Sequence, residues 1–252
     1  MRQGPRRGAL GPIFVAVMAA PPIAPETAAL FLDFDGTLVE IAPRPDAVVV
    51  PPGLPGLLTR LATRFGGALA IVSGRPLAAL ERLLPIPLPM AGDHGATLRR
   101  APGAAPEQVL LPHPPPAWRR AAASFAAAHP GALVEPKAHG FVLHYRQAPA
   151  AEASARALLQ VLLAPDGAFE LLPARMAFEV KPRAVSKAGA VTALMAQPPF
   201  AGRRPIYVGD DVTDEAGMAA ARAAGGLGLR LQDTFGTPAV LRDWLAQLDA
   251  AA

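Results

Sequence analysis

The apolar run 28–32 stops abruptly at Asp33-Phe34-Asp35-Gly36-Thr37, and that junction constrains the fold more than any other stretch of the chain. A short, continuous apolar run bounded by turn residues reads as a fully buried strand. Two carboxylates, a glycine and a hydroxyl at its end bring charge to the rim of a sheet, which packing alone does not require. Alternate residues of a strand point to opposite faces, but where the chain leaves the ladder at Gly36 both Asp side chains can address one cavity. Such a pair suits a division of labour in which one carboxylate attacks and the other moves protons.

The rest of the chain repeats a strand–helix grammar. Residues 54–65 read as a helix and 68–72 as a second strand, after which Ser73-Gly74-Arg75-Pro76 turns into a helix through Leu84; Pro76 suits a first helical turn. A third short element ends at Ala91-Gly92-Asp93-His94-Gly95-Ala96. Later, Ser186 is a good N-cap for a helix through Ala196, and Lys187 falls in its first turn, where a cation is unfavourable against the helix dipole. Something other than the helix must want that ammonium. The apolar strand 205–208 breaks into Gly209-Asp210-Asp211-Val212-Thr213-Asp214-Glu215, a helix runs to Gly225-Gly226, a strand spans 227–231, and a last helix follows Thr237-Pro238. Strands alternating with helices predict an α/β fold with a parallel, Rossmann-like sheet.

One stretch interrupts that grammar. After prolines at 112 and 114–116 come a helix to His129, a strand pair over 133–146, a helix over 150–163 and a second strand pair, 168–172 and 176–180. This predicts an inserted α+β domain with an antiparallel sheet. In Phe141-Val142-Leu143-His144-Tyr145-Arg146 the odd positions are apolar or aromatic while the even ones carry His144 and Arg146, so one face packs and the other is polar. The same alternation isolates Glu179 in Met176-Ala177-Phe178-Glu179-Val180. On this reading 1–25 is an extension, 26–103 and 181–252 form the core, and 104–180 is the insert.

Composition excludes several function classes. The chain has 252 residues, about half of them hydrophobic, enough for one doubly wound domain and a smaller one. It has no cysteine, so there is no disulfide framework, zinc–thiolate site or thiol nucleophile; this fits a reducing, cytoplasmic setting, and any metal must be held by oxygen. The net charge of +4 comes from scattered arginines rather than basic clusters interleaved with aromatics, which argues against a nucleic-acid partner and leaves a bias toward small anions. Arg2, Arg6 and Arg7 before the apolar residues 13–20 imitate a secretory signal, but the run is too short and too broken by Gly11 and Pro12 to span a membrane. The favoured reading is a translated extension ahead of a true start at Met18, with export as the alternative.

In an open α/β sheet the C-terminal strand edges line the ligand crevice. If Asp33, Asp35, Asp210 and Asp214 meet there, their repulsion raises their pKa values unless a divalent cation sits among them, and all-oxygen ligation suits Mg²⁺. The cation would also neutralise a phosphate brought to the attacking Asp. Thr37, Ser73 and the backbone N–H groups beside Gly36 and Gly74 can donate to phosphate oxygens, and Lys187 adds a fixed positive charge. Each residue also has a plainer reading. Ser73 would serve as a helix cap, His94 as the partner of a loop carbonyl, His144 and Arg146 as a solvent face, and Asp214 with Glu215 as the acidic first turn of a helix.

Taken in order, Asp33-Phe34-Asp35-Gly36-Thr37, Ser73-Gly74-Arg75, Lys187 and Gly209-Asp210-Asp211-Val212-Thr213-Asp214 resemble the motifs of the haloacid-dehalogenase-like phosphatases. The resemblance implies Asp33 as the nucleophile that forms an aspartyl-phosphate and Asp35 as the acid, then the base. It implies Mg²⁺ on Asp33, the Asp35 carbonyl and Asp210, supported by Asp211 or Asp214, with Ser73 and Lys187 holding phosphoryl oxygens. Within that superfamily, Gly92-Asp93-His94-Gly95-Ala96, Val134-Glu135-Pro136-Lys137, Leu143-His144-Tyr145-Arg146 and Phe178-Glu179-Val180-Lys181-Pro182 are similar to stretches of trehalose-6-phosphate phosphatases. That likeness spans about Leu30 to Leu248 and makes the insert a cap. It implies a phosphosugar substrate, with Glu135, Lys137 and Glu179 bonding the distal glucose while Arg146 and His94 shape the pocket; Thr37, Gly74 and Arg75 join the substrate-binding set. Lys137-Ala138-His139-Gly140 departs from the pattern, which puts a glycine directly after the lysine. Another phosphosugar, such as sucrose 6-phosphate or a mannosyl phosphoglycerate, and a non-catalytic phosphosugar-binding module are the alternatives, and a monomer is expected.

Overall fold

A computed structural model describes residues 20–42, 47–109, 111–137, 139–174 and 176–250. The expectations for a leader within 1–19 and for Ala138 lie outside the described residues.

The first half of the core comprises β1 (Ala28–Leu32), α1 (Leu54–Arg64), β2 (Leu69–Val72), α2 (Leu77–Leu83), β3 (Met90–Gly92), β4 (Thr97–Arg99) and β5 (Glu107–Gln108). The insert contains α3 (Pro116–Ala128), β6 (Leu133–Lys137), β7 (Gly140–His144), α4 (Glu152–Leu163), β8 (Phe169–Ala174) and β9 (Ala177–Pro182). The chain returns to the core with α5 (Lys187–Met195), β10 (Arg204–Gly209), α6 (Asp214–Ala223), β11 (Leu227–Arg230), α7 (Leu231–Thr234) and α8 (Pro238–Ala250).

The core sheet has the order β11-β10-β1-β2-β3-β4-β5. From β11 to β3 every pairing is parallel; β4 and β5 add antiparallel to that edge. All of β1 is buried because both of its faces are covered. Leu30 and Leu32 join the cluster under α1 and α8, while Ala29 and Phe31 join the one under α5 and α6. Burial on two faces is why these strands read as unbroken apolar runs rather than alternating ones. α1 places Leu54, Leu57, Leu58 and Leu61 on its buried stripe, the spacing of one helical face.

The order sets the site. β1 lies between β10 and β2, so the loops after β1, β2 and β10 leave the sheet side by side, at the crevice where ligands sit in open α/β sheets.

The insert is a separate antiparallel sheet, β6-β7-β9-β8, with α3 and α4 on one face. Phe141, Leu143, Phe178 and Val180 bury against Trp118, Ala155 and Leu159. The opposite face carries Glu135, Val142 and Glu179 in cross-strand register. Two boundaries differ from the sequence reading. β5 lies within the stretch 104–180 yet pairs with β4 in the core sheet, and β9 runs on to Pro182. Among the described residues no helix is long and apolar enough to cross a membrane.

Candidate active site

Asp33 directly follows β1 and is 3 % exposed; its N–H still donates to the Val208 carbonyl of β10, so the ladder delivers it beside the end of that strand. Gly36 then turns with φ +79°, and a Cβ there would overlap the Asp210 carboxylate. A glycine is required twice over, for the left-handed backbone and for the close approach of the two loops. Thr37 donates from Oγ1 to Asp210 Oδ1 at 3.0 Å.

Lys187 accounts for its unfavourable place in the first turn of α5. Ser186 caps the helix by accepting the Gly189 N–H at 3.1 Å, and the lysine, 3 % exposed, points its ammonium at Asp33 Oδ1 (2.7 Å) and Asp214 Oδ1 (2.6 Å). Asp214, fully buried, also accepts the Tyr207 hydroxyl on Oδ1 at 2.7 Å and the Asp211 N–H on Oδ2 at 3.1 Å. Asp33, Asp210 and Asp214 each offer an oxygen within 4.8 Å of the others.

Three carboxylates thus cluster beside one ammonium, which bonds two of them. Burial pushes Asp33 up to about 7 although Lys187 opposes it, and burial also raises Asp210. Burial disfavours the charge of Lys187, but the attraction of Asp33 and Asp214 outweighs it and the lysine rises. The excess of buried negative charge and the all-oxygen donor set of Asp33, Asp210 and Asp214 fit a hard divalent cation, with Asp33 lining the cleft and Asp210 half-buried beside it.

Asp35 and Ser73 meet through Arg75. The guanidinium grips Asp35 with both arms, Nε to Oδ2 at 2.5 Å and Nη2 to Oδ1 at 2.7 Å, and the Arg75 N–H donates to Ser73 Oγ at 3.1 Å. Gly74 lies against the His94 ring, which a Cβ would strike at 2.5 Å. Asp93 and His94 both hold positive φ, 51° and 56°, so the backbone here is strained. Burial first, then the charges of Lys187 and Lys181, lower His94 to about 4, leaving a neutral ring.

Two cavities adjoin. One of about 630 Å³ is lined by Asp33, Asp35, Ser73, Arg75 and Lys187; the other, about 310 Å³, is lined from the insert by Lys137 and Glu179 and from the core by Asp93, Thr97 and Gln108. Gly74 and His94 line both. Glu135 pairs with Lys137 and takes His144 Nε2 at 2.9 Å, interactions that lower its pKa, whereas burial raises Glu179. The structure therefore gathers Asp33, Asp35, Thr37, Ser73, Gly74, Arg75, His94, Lys187, Asp210 and Asp214 around the core crevice, with Lys137 and Glu179 facing it from the insert. Arg146 is not among them: it is exposed, beyond the end of β7, and lines neither of these cavities. Sequence reasoning passed over Lys181, Thr97, Gln108 and Tyr207. Lys181 was legible, because it lies two residues after Glu179 on β9 and so on the same face.

A parallel sheet whose strand ends pool carboxylates around a buried lysine, beneath an inserted antiparallel sheet, defines a phosphohydrolase of the haloacid-dehalogenase-like fold. The trehalose-phosphatase family model matches residues 31–231. The chain is 40 % identical over 221 residues to the trehalose-6-phosphate phosphatase of Escherichia coli K12, covering 86 % of this chain and 80 % of that protein. It is 42 % identical over 210 residues to a probable trehalose-phosphate phosphatase of Sinorhizobium fredii, covering 81 % and 77 %. Among solved structures, Aspergillus fumigatus trehalose-6-phosphate phosphatase superimposes with a TM-score of 0.66 at 23 % identity, over 93 % of this chain and all of that one. The chain belongs to the trehalose-phosphatase family, and so to the phosphoric monoester hydrolases.

Proposed function

We propose that the protein is a Mg²⁺-dependent phosphatase that hydrolyses trehalose 6-phosphate to trehalose and orthophosphate through a phosphorylated Asp33. The observation that carries the reading is the meeting of Asp33, Asp210 and Asp214 within 4.8 Å, with the Lys187 ammonium bonded to Asp33 and Asp214. The relatives named trehalose-6-phosphate phosphatases supply the substrate.

Asp33 Oδ attacks phosphorus as the bond to the sugar oxygen breaks, and Asp35 gives that oxygen its proton. Asp35 then takes a proton from water, whose oxygen attacks phosphorus, and Asp33 is regenerated as orthophosphate leaves. Two easier steps replace one slow hydrolysis. Lys187, Ser73 and Thr37, with the backbone at Gly74, hold the phosphoryl oxygens. Arg75 presents a fork that matches phosphate as well as carboxylate, so its transfer to the substrate frees Asp35 for proton transfer. Asp33, the Asp35 carbonyl and Asp210 would hold Mg²⁺, which lowers the charge repulsion between phosphate and carboxylates. Lys137 and Glu179 bond the distal glucose in the cavity between insert and core, Glu135, which lines neither cavity, holds Lys137 in place, and the neutral His94 forms the wall between sugar and phosphate. A cytoplasmic location fits the cysteine-free composition, and a monomer suffices because one chain lines both cavities.

The test is phosphate release from a panel of phosphosugars with Mg²⁺ and with chelator. Trehalose 6-phosphate should be the preferred substrate, chelation should abolish release, and Asp33→Asn should reduce it by about 10³-fold or more, the loss of a nucleophile. Normal turnover by Asp33→Asn would sink the mechanism, and a different preferred sugar would reassign the substrate.

A further inference from the structure

Among the described residues, the Tyr207 hydroxyl is a buried polar group for which the proposed chemistry has no task. Tyr207 lies on β10 with its whole side chain in the core, where an apolar ring would pack as well, yet its oxygen donates to Asp214 Oδ1 at 2.7 Å. The surroundings are cut to fit this pair. A Cβ on Gly217 of α6 would meet the Tyr207 ring at 2.5 Å, and one on Gly209 would fall on Asp214 itself. Tyr207, Gly209, Asp214 and Gly217 thus form a unit spanning the end of β10 and the first turn of α6.

The consequence falls on Asp214. A carboxylate offers about four acceptor positions. Three are taken: the Tyr207 hydroxyl and the Lys187 ammonium share Oδ1, and the Asp211 N–H holds Oδ2. Asp210 differs, being only half-buried and accepting, among the described residues, a single bond, from the buried Thr37 hydroxyl. Of the two acidic residues flanking this loop, one is partly exposed and the other is buried and tied inward.

Granted the phosphatase chemistry proposed for Asp33, we infer that Tyr207 is a positioning residue that fixes Asp214 as the counter-ion of Lys187 rather than as a cation ligand. Asp214 then acts through the lysine. With its Oδ1 held between a hydroxyl and the ammonium, it sets where the Lys187 Nζ sits relative to Asp33, and hence where phosphoryl oxygens are met as charge builds on them. Tyr207 touches neither substrate nor cation.

Tyr207→Phe removes the hydroxyl and keeps the ring. Three readouts are taken together: kcat and KM for phosphate release from trehalose 6-phosphate, apparent Mg²⁺ affinity from the Mg²⁺ dependence of the melting temperature, and the folded fraction from the same melts. The expected result is a kcat about 10- to 100-fold lower per folded molecule, the scale of a hydrogen bond to a charged group, with KM and Mg²⁺ affinity changed by less than about threefold. A weakening of Mg²⁺ affinity by threefold or more makes Asp214 a cation ligand and overturns the inference, as does a kcat that falls less than tenfold. If Tyr207→Phe does not stay folded at the assay temperature, Asp214→Asn, which keeps the shape of the side chain, is read by the same thresholds. Failure of the wild-type protein to release phosphate from any sugar in the panel would sink the phosphatase reading instead, and the comparison of Mg²⁺ affinities would still stand.

Discussion

Lys187 shows what a single residue can disclose. An ammonium in the first turn of a helix opposes the dipole, and that misfit in the sequence pointed to a partner elsewhere, which proves to be two buried carboxylates. Asp33, Ser186 and Lys187 were legible in this way because their local setting was wrong or wasteful for packing alone. The Arg75 clamp on Asp35 and the Tyr207 bond to Asp214 were not, since an arginine in a turn and a tyrosine in a strand are ordinary. Arg146 misled, because a strand alternation that continues past His144 stops where the strand stops. His94 carries a prediction at this scale. Its folded pKa of about 4 lies below the ordinary 6.5, so in acid the unfolded chain takes the proton first, and the stability present above pH 6.5 is lost as pH falls toward 4. Asn tolerates the left-handed backbone of this position but does not titrate. Melting curves should show wild type losing on the order of 2–3 kcal/mol more than His94→Asn between pH 7 and pH 4. Parallel pH profiles would show that the ring is not held neutral.

At the scale of elements, the long periodic segments were readable and the short ones were not. α1 shows its stripe of leucines and α3 its alanine-rich run, and the interruption between 112 and 180 announced itself by a change from buried runs to alternation. β4 and β5 have three and two residues, too few for any period, and exist because β3 offers an edge to pair with after the chain reverses at Asp93-His94-Gly95. The insert's sheet depends on a comparable fine fit at Gly140, the first residue of β7. A Cβ there would collide with the Val180 carbonyl of β9, a backbone atom that cannot turn aside. Gly140→Ala should destabilise the protein by about 1–3 kcal/mol, measured by denaturant unfolding, the usual cost of forcing atoms into a packed site. An unchanged midpoint would mean that β7 and β9 have slack the geometry does not show.

At the scale of the whole molecule, the proposed function uses two cavities that share the His94 and Gly74 wall, one assigned to the reacting phosphate and one between insert and core. Contacts made far from the reacting bond discriminate among substrates without touching the chemistry. Glu179→Gln should therefore raise KM for trehalose 6-phosphate by about tenfold or more while leaving kcat/KM for a small aryl phosphate within about twofold, compared by steady-state kinetics. Equal losses on both substrates would place Glu179 in the catalytic rather than the sugar-reading half. By itself the sequence determined the class of fold, the strand ends where charge collects and the switch to an antiparallel insert, because these follow from patterns a few residues long. Only the tertiary structure decided which strand ends are neighbours, that Arg75 holds Asp35, that Lys187 lies between Asp33 and Asp214, and that Tyr207 stands behind Asp214. Apart from the Tyr207–Asp214 bond, which spans seven residues, those contacts join segments far apart in the chain, and they exist only once burial of both faces of β1 has fixed the order of strands in the sheet.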